Sequence, residues 1–253
     1  MAKKRVVTTS SARKAVKPLS GKIALVTGGS RGIGFAIANK LANDGAKVVI
    51  TGRDESSLVD AAAQISRGGG KAVTRHCDVR NPKSVAALLS AIREEFRHLD
   101  ILVNNAGVAQ PNMSVADMPL EVWQEVIETN LTGLFLCTRA ALPLMRTGGT
   151  IVNNLSVSAR NVFPSFSAYT ASKHGALGFT SSLREELRPR GIRVIALMPG
   201  ATDTGIWDQF WPEAPRNRMM SAESVADALL SAVLLPENAS VDELLIMPTT
   251  GSL

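Results

Sequence analysis

The chain is 253 residues long and carries a formal net charge of +6 at pH 7. That length accommodates one large domain with a substantial buried core, and no break in composition suggests a second domain. Six of the 28 basic residues fall within the first 20 positions, which hold no acidic residue, so the remainder has 22 basic and 22 acidic side chains. A neutral body gives no support to a nucleic-acid-binding domain.

The positive charge lies in a predicted N-terminal tail, residues 1–19. This segment is rich in Lys, Ser, Thr and Val and has neither apolar periodicity nor an aromatic residue. Such a composition is typical of a disordered extension. A transit peptide and a nucleic-acid-binding arm are the alternatives. The folded domain is predicted to span residues 20–253.

The sequence after this tail predicts a cytoplasmic protein that neither associates with a membrane nor binds a metal ion. It contains no secretory signal and no uninterrupted apolar run of about 18 residues. Cys77 and Cys137 lie far apart in apolar contexts, which suits reduced thiols better than a disulfide. His76, Cys77 and Asp78 are all metal-ligand types, but no second cluster with ligand spacing accompanies them.

Short β-rich runs alternate with longer helical patterns along the whole domain. This alternation predicts an α/β fold with a doubly wound, mainly parallel seven-stranded sheet and helices on both faces. In such sheets ligands bind beyond the carboxyl ends of the strands, near the switch in strand order. The predicted strands span residues 23–27, 47–51, 71–76, 100–104, 150–155, 193–198 and 243–247.

A glycine-rich stretch, TGGSRGIG, occupies residues 27–34 between the first predicted strand and the first predicted helix. Glycines let the backbone turn tightly and approach a pyrophosphate, which the N-terminus of the following helix attracts. The spacing departs from the strict G-x-G-x-x-G fingerprint. Taken alone, the loop is therefore compatible with a nucleotide site or with a structural turn.

The only tyrosine of the chain, Tyr169, precedes Lys173 by four residues. This spacing places the phenol and the ammonium group one helical turn apart on the same face. A neighbouring cation favours the phenolate and lowers the phenol pKa, so the pair could transfer protons. Tyr-x-x-x-Lys also occurs by chance in many helices, so the pair alone proves little.

Seven motifs occur together in one order: the glycine loop, Asp78-Val79, NNAG at 104–107, Asn130, Ser156, YTASK at 169–173 and PGATDT at 199–204. In this arrangement residues 20–250 resemble the short-chain dehydrogenase/reductase family. The resemblance implies a Rossmann-type fold in a single domain. It also implies an enzyme that acts on CH–OH groups with NAD(P) as the acceptor.

The resemblance assigns the catalytic roles to Asn130, Ser156, Tyr169 and Lys173. Tyr169 would exchange a proton with the substrate oxygen as hydride moves between the nicotinamide and the substrate carbon. Lys173 would lower the phenol pKa and hold the nicotinamide ribose. Ser156 would hydrogen-bond the substrate oxygen, with Ser158 as its competitor. Asn130 would hold a water that links Lys173 to solvent, or would serve only as a buried amide that bonds the helix backbone.

The same resemblance implies the cofactor contacts. Asp78 and Val79 would contact the adenine, the NNAG turn would lie beside it, and Thr204 would reach the nicotinamide end. The expected cofactor-binding residues are Gly28, Ser30, Arg31, Gly32, Ile33, Gly34, Arg53, Asp78, Val79, Asn105, Ala106, Gly107, Tyr169, Lys173, Pro199, Gly200, Thr202 and Thr204.

The residues at the end of the second predicted strand favour NADP(H) over NAD(H) as the cofactor. An NAD site places an acid there to bind the ribose 2′-hydroxyl, whereas family spacing puts Gly52 at that position, followed by Arg53. Arg31 in the glycine loop is a second cation, and the two arginines could clamp a 2′-phosphate. Asp54 lies two positions late and is expected to cap the next helix.

Residues 205–221 resemble the substrate lid of the family. Trp207, Phe210 and Trp211 form an aromatic cluster in a chain with few aromatic residues. They would wall an apolar pocket over the carbonyl site; ordinary packing or a subunit contact is the alternative. Apolar residues that could extend this wall are Val162, Phe163 and Phe166.

The preferred function is an NADP(H)-dependent oxidoreductase that interconverts a carbonyl compound, expected to be an apolar small molecule, and its alcohol. A 3-oxoacyl carrier-protein reductase is the alternative, but only part of the basic patch that it needs is evident, near Arg146 and Arg190, and the C-terminal sequence departs from the glycine-rich ending of such reductases. A non-catalytic NADP-binding regulator is disfavoured because all four catalytic residues are present. The resemblance further suggests a homotetramer built from helices around residues 121–145 and 167–187.

Overall fold

The structure is a computed structural model that describes residues 16–209 and 211–253. Within these ranges, seven strands alternate with α-helices. The strands are β1 (Ile23–Thr27), β2 (Lys47–Gly52), β3 (Lys71–His76), β4 (Leu99–Asn104), β5 (Met145–Asn154), β6 (Arg193–Pro199) and β7 (Glu243–Ile246). The helices are α1 (Gly32–Asn43), α2 (Glu55–Arg67), α3 (Pro82–Phe96), α4 (Leu120–Ile127), α5 (Gly133–Ala141), α6 (Ser167–Leu187) and α7 (Ala222–Val233).

All seven strands pair in parallel, in the order β3-β2-β1-β4-β5-β6-β7. This arrangement confirms the predicted doubly wound sheet. The chain moves outward from β1 to β3 and then returns to place β4 on the other side of β1. The strand order therefore switches between β1 and β4, which is where such sheets bind ligands.

Both faces of the sheet are buried, because successive side chains of a strand point to opposite layers. Leu25 of β1 packs in one apolar layer with Ile92 of α3 and Leu183 of α6. Val26 packs in the other layer with Leu229 of α7. The central strands are thus apolar on both faces, as parallel strands between two helical layers require.

β5 differs most from its predicted bounds, whereas β2, β4, β6 and β7 each differ by a single residue at one end. β5 begins at Met145, well before the predicted start at residue 150. Thr147-Gly148-Gly149 has the composition of a turn, but Gly148 has φ +81° and donates its N–H to Gly191 O at 2.9 Å. The pairing with β4 also shifts register in this region. The glycine therefore lets an irregular strand continue where the composition predicts a break.

The N-terminal boundary differs as well. The Leu19 side chain is 5% exposed, and its N–H donates to Asp44 O at 2.8 Å. Leu19 belongs to the same apolar layer as α1 and α7. The predicted tail therefore extends too far toward the body, since position 19 is part of the folded domain. Residues 1–15 of that tail lie outside the described residues.

None of the helices described is long and apolar enough to cross a membrane. The residues described contain no group of three or more His, Cys, Asp or Glu side chains that could hold a metal ion. Cys77 and Cys137 are buried free thiols.

Candidate active site

A cavity of about 550 Å³ lies beyond the carboxyl ends of the strands, lined by the segments that follow β1 to β6. Three of the predicted catalytic residues, Ser156, Tyr169 and Lys173, line this cavity. Every residue that the sequence predicts to bind the cofactor lines it too. Asn130 is not part of the lining.

The glycine loop is held against the segment that follows β4. Thr27 Oγ1 accepts hydrogen bonds from the N–H groups of Asn105 at 3.0 Å and Ala106 at 3.1 Å. Asn105 Nδ2 donates to Gly28 O at 2.9 Å. Gly28 has φ +63°, and a Cβ there would lie 2.9 Å from Ala106 Cα. A larger residue at this position would be strained and would push the two segments apart.

Helix α1 starts directly after this loop and lacks a side-chain cap. The preceding residue, Arg31, has an extended backbone and makes no capping hydrogen bond. The first N–H groups of an α-helix have no partner within the helix, and together with the helix dipole they attract anions. Because Gly32, Ile33 and Gly34 of the first turn all line the cavity, this end of the helix suits a phosphate group.

The end of β2 carries positive charge and no acid. β2 ends at Gly52, and Arg53 and Arg31 are exposed at the cavity. Neither guanidinium makes a side-chain hydrogen bond or ion pair with another described residue. Asp54 instead caps α2, since its carboxylate accepts the Ser57 N–H at 3.0 Å. This confirms the role predicted for Asp54.

Asp78 follows β3, and its carboxylate is bound by Arg80. Arg80 Nη2 lies 2.7 Å from Asp78 Oδ2, and Arg80 Nε lies 3.1 Å from Asp78 Oδ1. The Arg80 guanidinium holds the pKa of Asp78 below its ordinary value, and Arg53 acts weakly in the same direction. Sequence analysis missed Arg80, although its place two residues after Asp78 was a signal. Arg80 lines the cavity and adds a third cation at this end.

Tyr169 and Lys173 lie one turn apart on α6, as their spacing predicts. Lys173 Nζ is 5.4 Å from the centroid of the Tyr169 ring and donates to Asn154 O at 3.1 Å. Ser156 Oγ accepts the Ser158 N–H at 3.1 Å and donates to Ser158 Oγ at 3.2 Å. A side-chain hydrogen bond between Ser156 and the phenol favours the ionised form of Tyr169. Ser156 is therefore the better placed of the two serines.

Burial controls the protonation of this pair. It raises the pKa of Tyr169 to about 12, against the opposing hydrogen bond from Ser156. It lowers the pKa of Lys173 to about 8. Lys173 is not among the causes of the shift in the Tyr169 pKa, since its ammonium group lies over the ring and donates to Asn154 O. The predicted lowering of the phenol pKa by Lys173 stays a prediction.

Asn130 is buried in a π-helical turn, Glu128–Thr132, that joins α4 to α5. Its Oδ1 accepts the Val108 N–H at 2.9 Å, and its Nδ2 donates to Val108 O at 2.9 Å and to Ser172 Oγ at 3.1 Å. Single π-helical turns are frequent at functional sites. Asn130 thus bonds a loop to the catalytic helix, and its predicted water link to Lys173 stays a prediction.

The lid, residues 205–221, contributes aromatic side chains to the cavity. Trp207 and Trp211 line it, with ring centroids 6.2 Å apart. Trp207 Nε1 donates to Thr202 O at 2.8 Å, which orients the indole. Phe210, the third predicted aromatic, lies outside the described residues.

A second apolar wall comes from the loop between β5 and α6. Phe163 and Phe166 line the cavity, as predicted. Val162 is 75% exposed and does not line it. The prediction that Val162 extends the wall is therefore wrong.

Arg216 binds several parts of the lid region at once. Its Nη1 donates to Asp203 Oδ1 at 3.0 Å and to Thr204 O at 2.7 Å, and its Nη2 donates to Asp208 Oδ1 at 2.5 Å. Thr204 in turn lies against the glycine loop, since a Cβ on Gly32 would be 3.2 Å from Thr204 Cγ2. Sequence analysis missed Arg216, whose acidic partners at 203 and 208 are too ordinary in a loop to identify it.

Comparison with known proteins agrees with this geometry. A model of the short chain dehydrogenase family matches residues 22–214. A 3beta-hydroxysteroid dehydrogenase of Mediterraneibacter gnavus is 40% identical over 189 residues, which cover 74% of this chain and 68% of that protein. A 3-oxoacyl-[acyl-carrier-protein] reductase of Synechocystis is 43% identical over 190 residues, which cover 73% of this chain and 76% of that protein.

Solved structures show the same fold. The crystal structure of a short chain dehydrogenase from Burkholderia cenocepacia in complex with NADP aligns with a TM-score of 0.83 at 36% identity. The alignment covers 91% of this chain and 98% of that chain. The chain therefore belongs to the short-chain dehydrogenase family and is an oxidoreductase that acts on CH–OH groups.

Proposed function

We propose that the chain is an NADP(H)-dependent oxidoreductase that interconverts an apolar carbonyl compound and its alcohol, with Tyr169 as the acid/base. One observation carries this proposal. Ser156, Tyr169 and Lys173 line the same cavity as the glycine loop and the arginines at the end of β2. A proton donor and a dinucleotide cradle therefore share one space.

Three features of the cavity fit NADP(H). The uncapped N-terminus of α1 suits the pyrophosphate. Arg31 and Arg53, beside Gly52, suit a 2′-phosphate, because each can donate charge-assisted hydrogen bonds. Asn154 lines the cavity near Lys173, and its buried Oδ1 has no hydrogen-bond partner among the described residues. The related Burkholderia cenocepacia structure contains NADP. When bound, the nicotinamide supplies the hydride that reduces the carbonyl carbon.

The side chains of the site supply the proton chemistry. In reduction, Ser156 donates a hydrogen bond to the substrate oxygen, and Tyr169 gives that oxygen its phenolic proton. The alcohol leaves with this proton, and the phenolate regains one from solvent. Lys173 stabilises the phenolate charge in the interval. Alcohol oxidation uses the same groups in reverse, with the phenolate as the base.

The protonation of Tyr169 favours reduction at neutral pH. Burial raises the pKa of Tyr169 to about 12, so the phenol holds the proton that it must donate. Lys173, with a pKa lowered to about 8, still carries its charge in most molecules at neutral pH. Alcohol oxidation needs the phenolate and is expected to require a higher pH.

Aromatic side chains support an apolar substrate. Phe163, Phe166, Trp207 and Trp211 line the cavity from two sides. Burial of apolar surface contributes about 25 cal/mol per Å², so a bulky ketone gains more from this wall than a small polar one. The name of the 3beta-hydroxysteroid dehydrogenase relative is consistent with a large apolar substrate.

A 3-oxoacyl carrier-protein reductase is the second candidate, favoured by the 43% identity with the Synechocystis reductase. Docking of an acidic carrier calls for exposed cations. Arg146 is exposed. Arg190 Nη2, however, donates to Leu142 O and Met145 O at 3.2 Å each, so this guanidinium already serves an internal role.

We also propose that the chain assembles as a homotetramer in the cytoplasm. Large apolar side chains remain exposed on α4 and α5, where the family resemblance places a subunit interface. Leu120 is 62%, Trp123 39% and Phe135 40% exposed. The free thiols Cys77 and Cys137 suit a reducing compartment.

The proposed function is tested by NADPH oxidation against ketones, aldehydes, quinones and 3-oxoacyl thioesters, with bulky apolar ketones expected to be turned over best.

Tyr169→Phe keeps the ring but removes the proton donor, so kcat should fall about 100-fold or more while NADPH affinity stays near the wild-type value. Ser156→Ala should lose more activity than its matched control, Ser158→Ala. NADPH binding without turnover of any compound would support the regulator instead, and a clear preference for 3-oxoacyl thioesters would support the carrier-protein reductase.

A further inference from the structure

Gln110 is a buried polar side chain that belongs to none of the predicted sites. It is 0% exposed and lies in the segment between β4 and α4. Its Nε2 donates to Ser165 O at 2.9 Å, and its Oε1 accepts the Tyr169 N–H at 2.9 Å. These partners determine the orientation of the amide, because a backbone N–H only donates and a carbonyl only accepts.

The first turn of α6 depends on this amide. The helix begins at Ser167, and the preceding residue, Phe166, supplies no side-chain cap. N–H groups in the first turn of a helix need partners from outside the helix. Gln110 satisfies the N–H of Tyr169, the third helical residue. Ser165, at the other end of the amide, has φ +65°, a conformation that costs energy in a residue with a side chain.

The carbonyl group of Tyr169 is held from the opposite side. Ser172 Oγ donates to Tyr169 O at 2.7 Å and accepts from Asn130 Nδ2 at 3.1 Å. Asn130 also bonds both backbone groups of Val108, two residues before Gln110. The segment after β4 therefore reaches the backbone of Tyr169 by two routes, and Gln110 makes the direct one.

We propose that Gln110 is a positioning residue for proton transfer: it holds the first turn of α6 and so sets the place of the Tyr169 hydroxyl relative to Ser156 and Lys173. Its effect on turnover rests on the proposed function, whereas its effect on the phenol does not. Gln110 is not among the residues that line the cavity, so it acts through the backbone of Tyr169. Two groups act on the phenol: the Lys173 ammonium lies 5.4 Å from the centroid of its ring, and the Ser156 hydroxyl hydrogen-bonds it.

The experiment uses the fact that Tyr169 is the only tyrosine of the chain. NMR of protein labelled with isotopic tyrosine gives one side-chain signal, whose shift and titration report the phenol directly. Gln110→Met keeps the length of the side chain and removes both hydrogen bonds. We expect the chemical shift of the Tyr169 signal and the phenol pKa that it reports to change. We also expect kcat to fall about tenfold and the KM for NADPH to stay constant.

Thr180→Val is the matched control. Thr180 is fully buried on the same helix, donates to Ala176 O at 2.6 Å and accepts from Asn153 Nδ2 at 2.9 Å. This variant should lower Tm but leave the tyrosine signal and kcat at wild-type values. If Gln110→Met also changes only Tm, the residue is merely structural and the proposal is overturned.

A second variant allows the same test if the first one does not fold. Should Gln110→Met fail to fold, Gln110→Asn, which keeps the amide but is too short to reach both partners, takes its place with the same expected results. Failure of the proposed function would look different. The wild type would then turn over no carbonyl compound, while the tyrosine signal would still distinguish the Gln110 variant from the wild type and from Thr180→Val.

Discussion

Arg53 is the residue on which the choice of cofactor is expected to depend. It lies at the end of β2 beside a glycine and makes no side-chain ion pair with another described residue, so its charge is available to a ligand. A hydrogen bond to a charged group contributes about 1.5–3 kcal/mol, which corresponds to roughly tenfold to a hundredfold in affinity. Arg53→Ala should therefore lower kcat/KM for NADPH by about that factor and leave the value for NADH nearly constant.

Arg67→Ala is the control for this measurement, because Arg67 is an exposed arginine in the last turn of α2 and does not line the cavity. It should affect neither cofactor. Equal losses with NADPH and NADH after Arg53→Ala, or a wild type that prefers NADH, would contradict the assignment of Arg53 to a 2′-phosphate.

Residue types and spacing predict which side chains share the site, but not which atoms they bind. The place of Asp54 two positions after Gly52 correctly indicates a helix cap. The pKa of Tyr169 could not be predicted in the same way, because burial depends on the packing of several distant segments. The hydrogen bond from Lys173 to Asn154 O joins α6 to the end of β5. No local sequence pattern in either segment predicts it.

Several parts of the lid region are joined by a single side chain, Arg216. Arg216 links Asp203, Asp208 and the carbonyl of Thr204, and Thr204 lies against the glycine loop. Arg216→Met keeps much of the apolar stem and removes these charged hydrogen bonds. We expect the KM for bulky apolar carbonyl compounds to rise about tenfold. The change in Tm should be small, because Met220 is the one described lid residue that packs against the main core.

Arg218→Met is the control, since Arg218 lies two residues away in the same short 3-10 helix and is exposed. It should leave the KM near the wild-type value. If the two variants behave alike, or if Arg216→Met raises the KM for small and bulky substrates equally, Arg216 does not shape the substrate end of the cavity.

Elements with a strong period were predicted well, and irregular ones were not. Helix α6 has the predicted bounds, and β1 and β3 match residue by residue. The π-helical turn Glu128–Thr132 was missed because it spans only five residues inside a longer helical pattern. Its neighbour Gly133 packs where a Cβ would lie 2.8 Å from Val79 Cγ2, a contact between distant segments that sequence alone does not reveal.

At the scale of the whole molecule, alternation of strands and helices was enough to predict the parallel sheet, because right-handed crossovers leave few other topologies. The domain boundary was harder to place. Leu19 joins the core as a single apolar residue beside a basic segment. A single residue cannot form the apolar periodicity by which a helix or strand is predicted. Subunit contacts are harder still, since the surface that a partner would cover shows only as exposed apolar side chains.

Assembly into a tetramer is expected to depend on the exposed apolar face of α4 and α5. Phe135 packs edge to face on Phe179 of α6 with ring centroids 6.1 Å apart, yet 40% of Phe135 remains exposed. Because a charge buried at a subunit contact is costly, Phe135→Glu should convert a tetramer into smaller species by light scattering. Val59→Glu, at a 60% exposed valine on α2, is the control and should leave the assembly intact. A wild type that is monomeric at micromolar concentration, or equal dissociation of both variants, would show that this face does not join subunits.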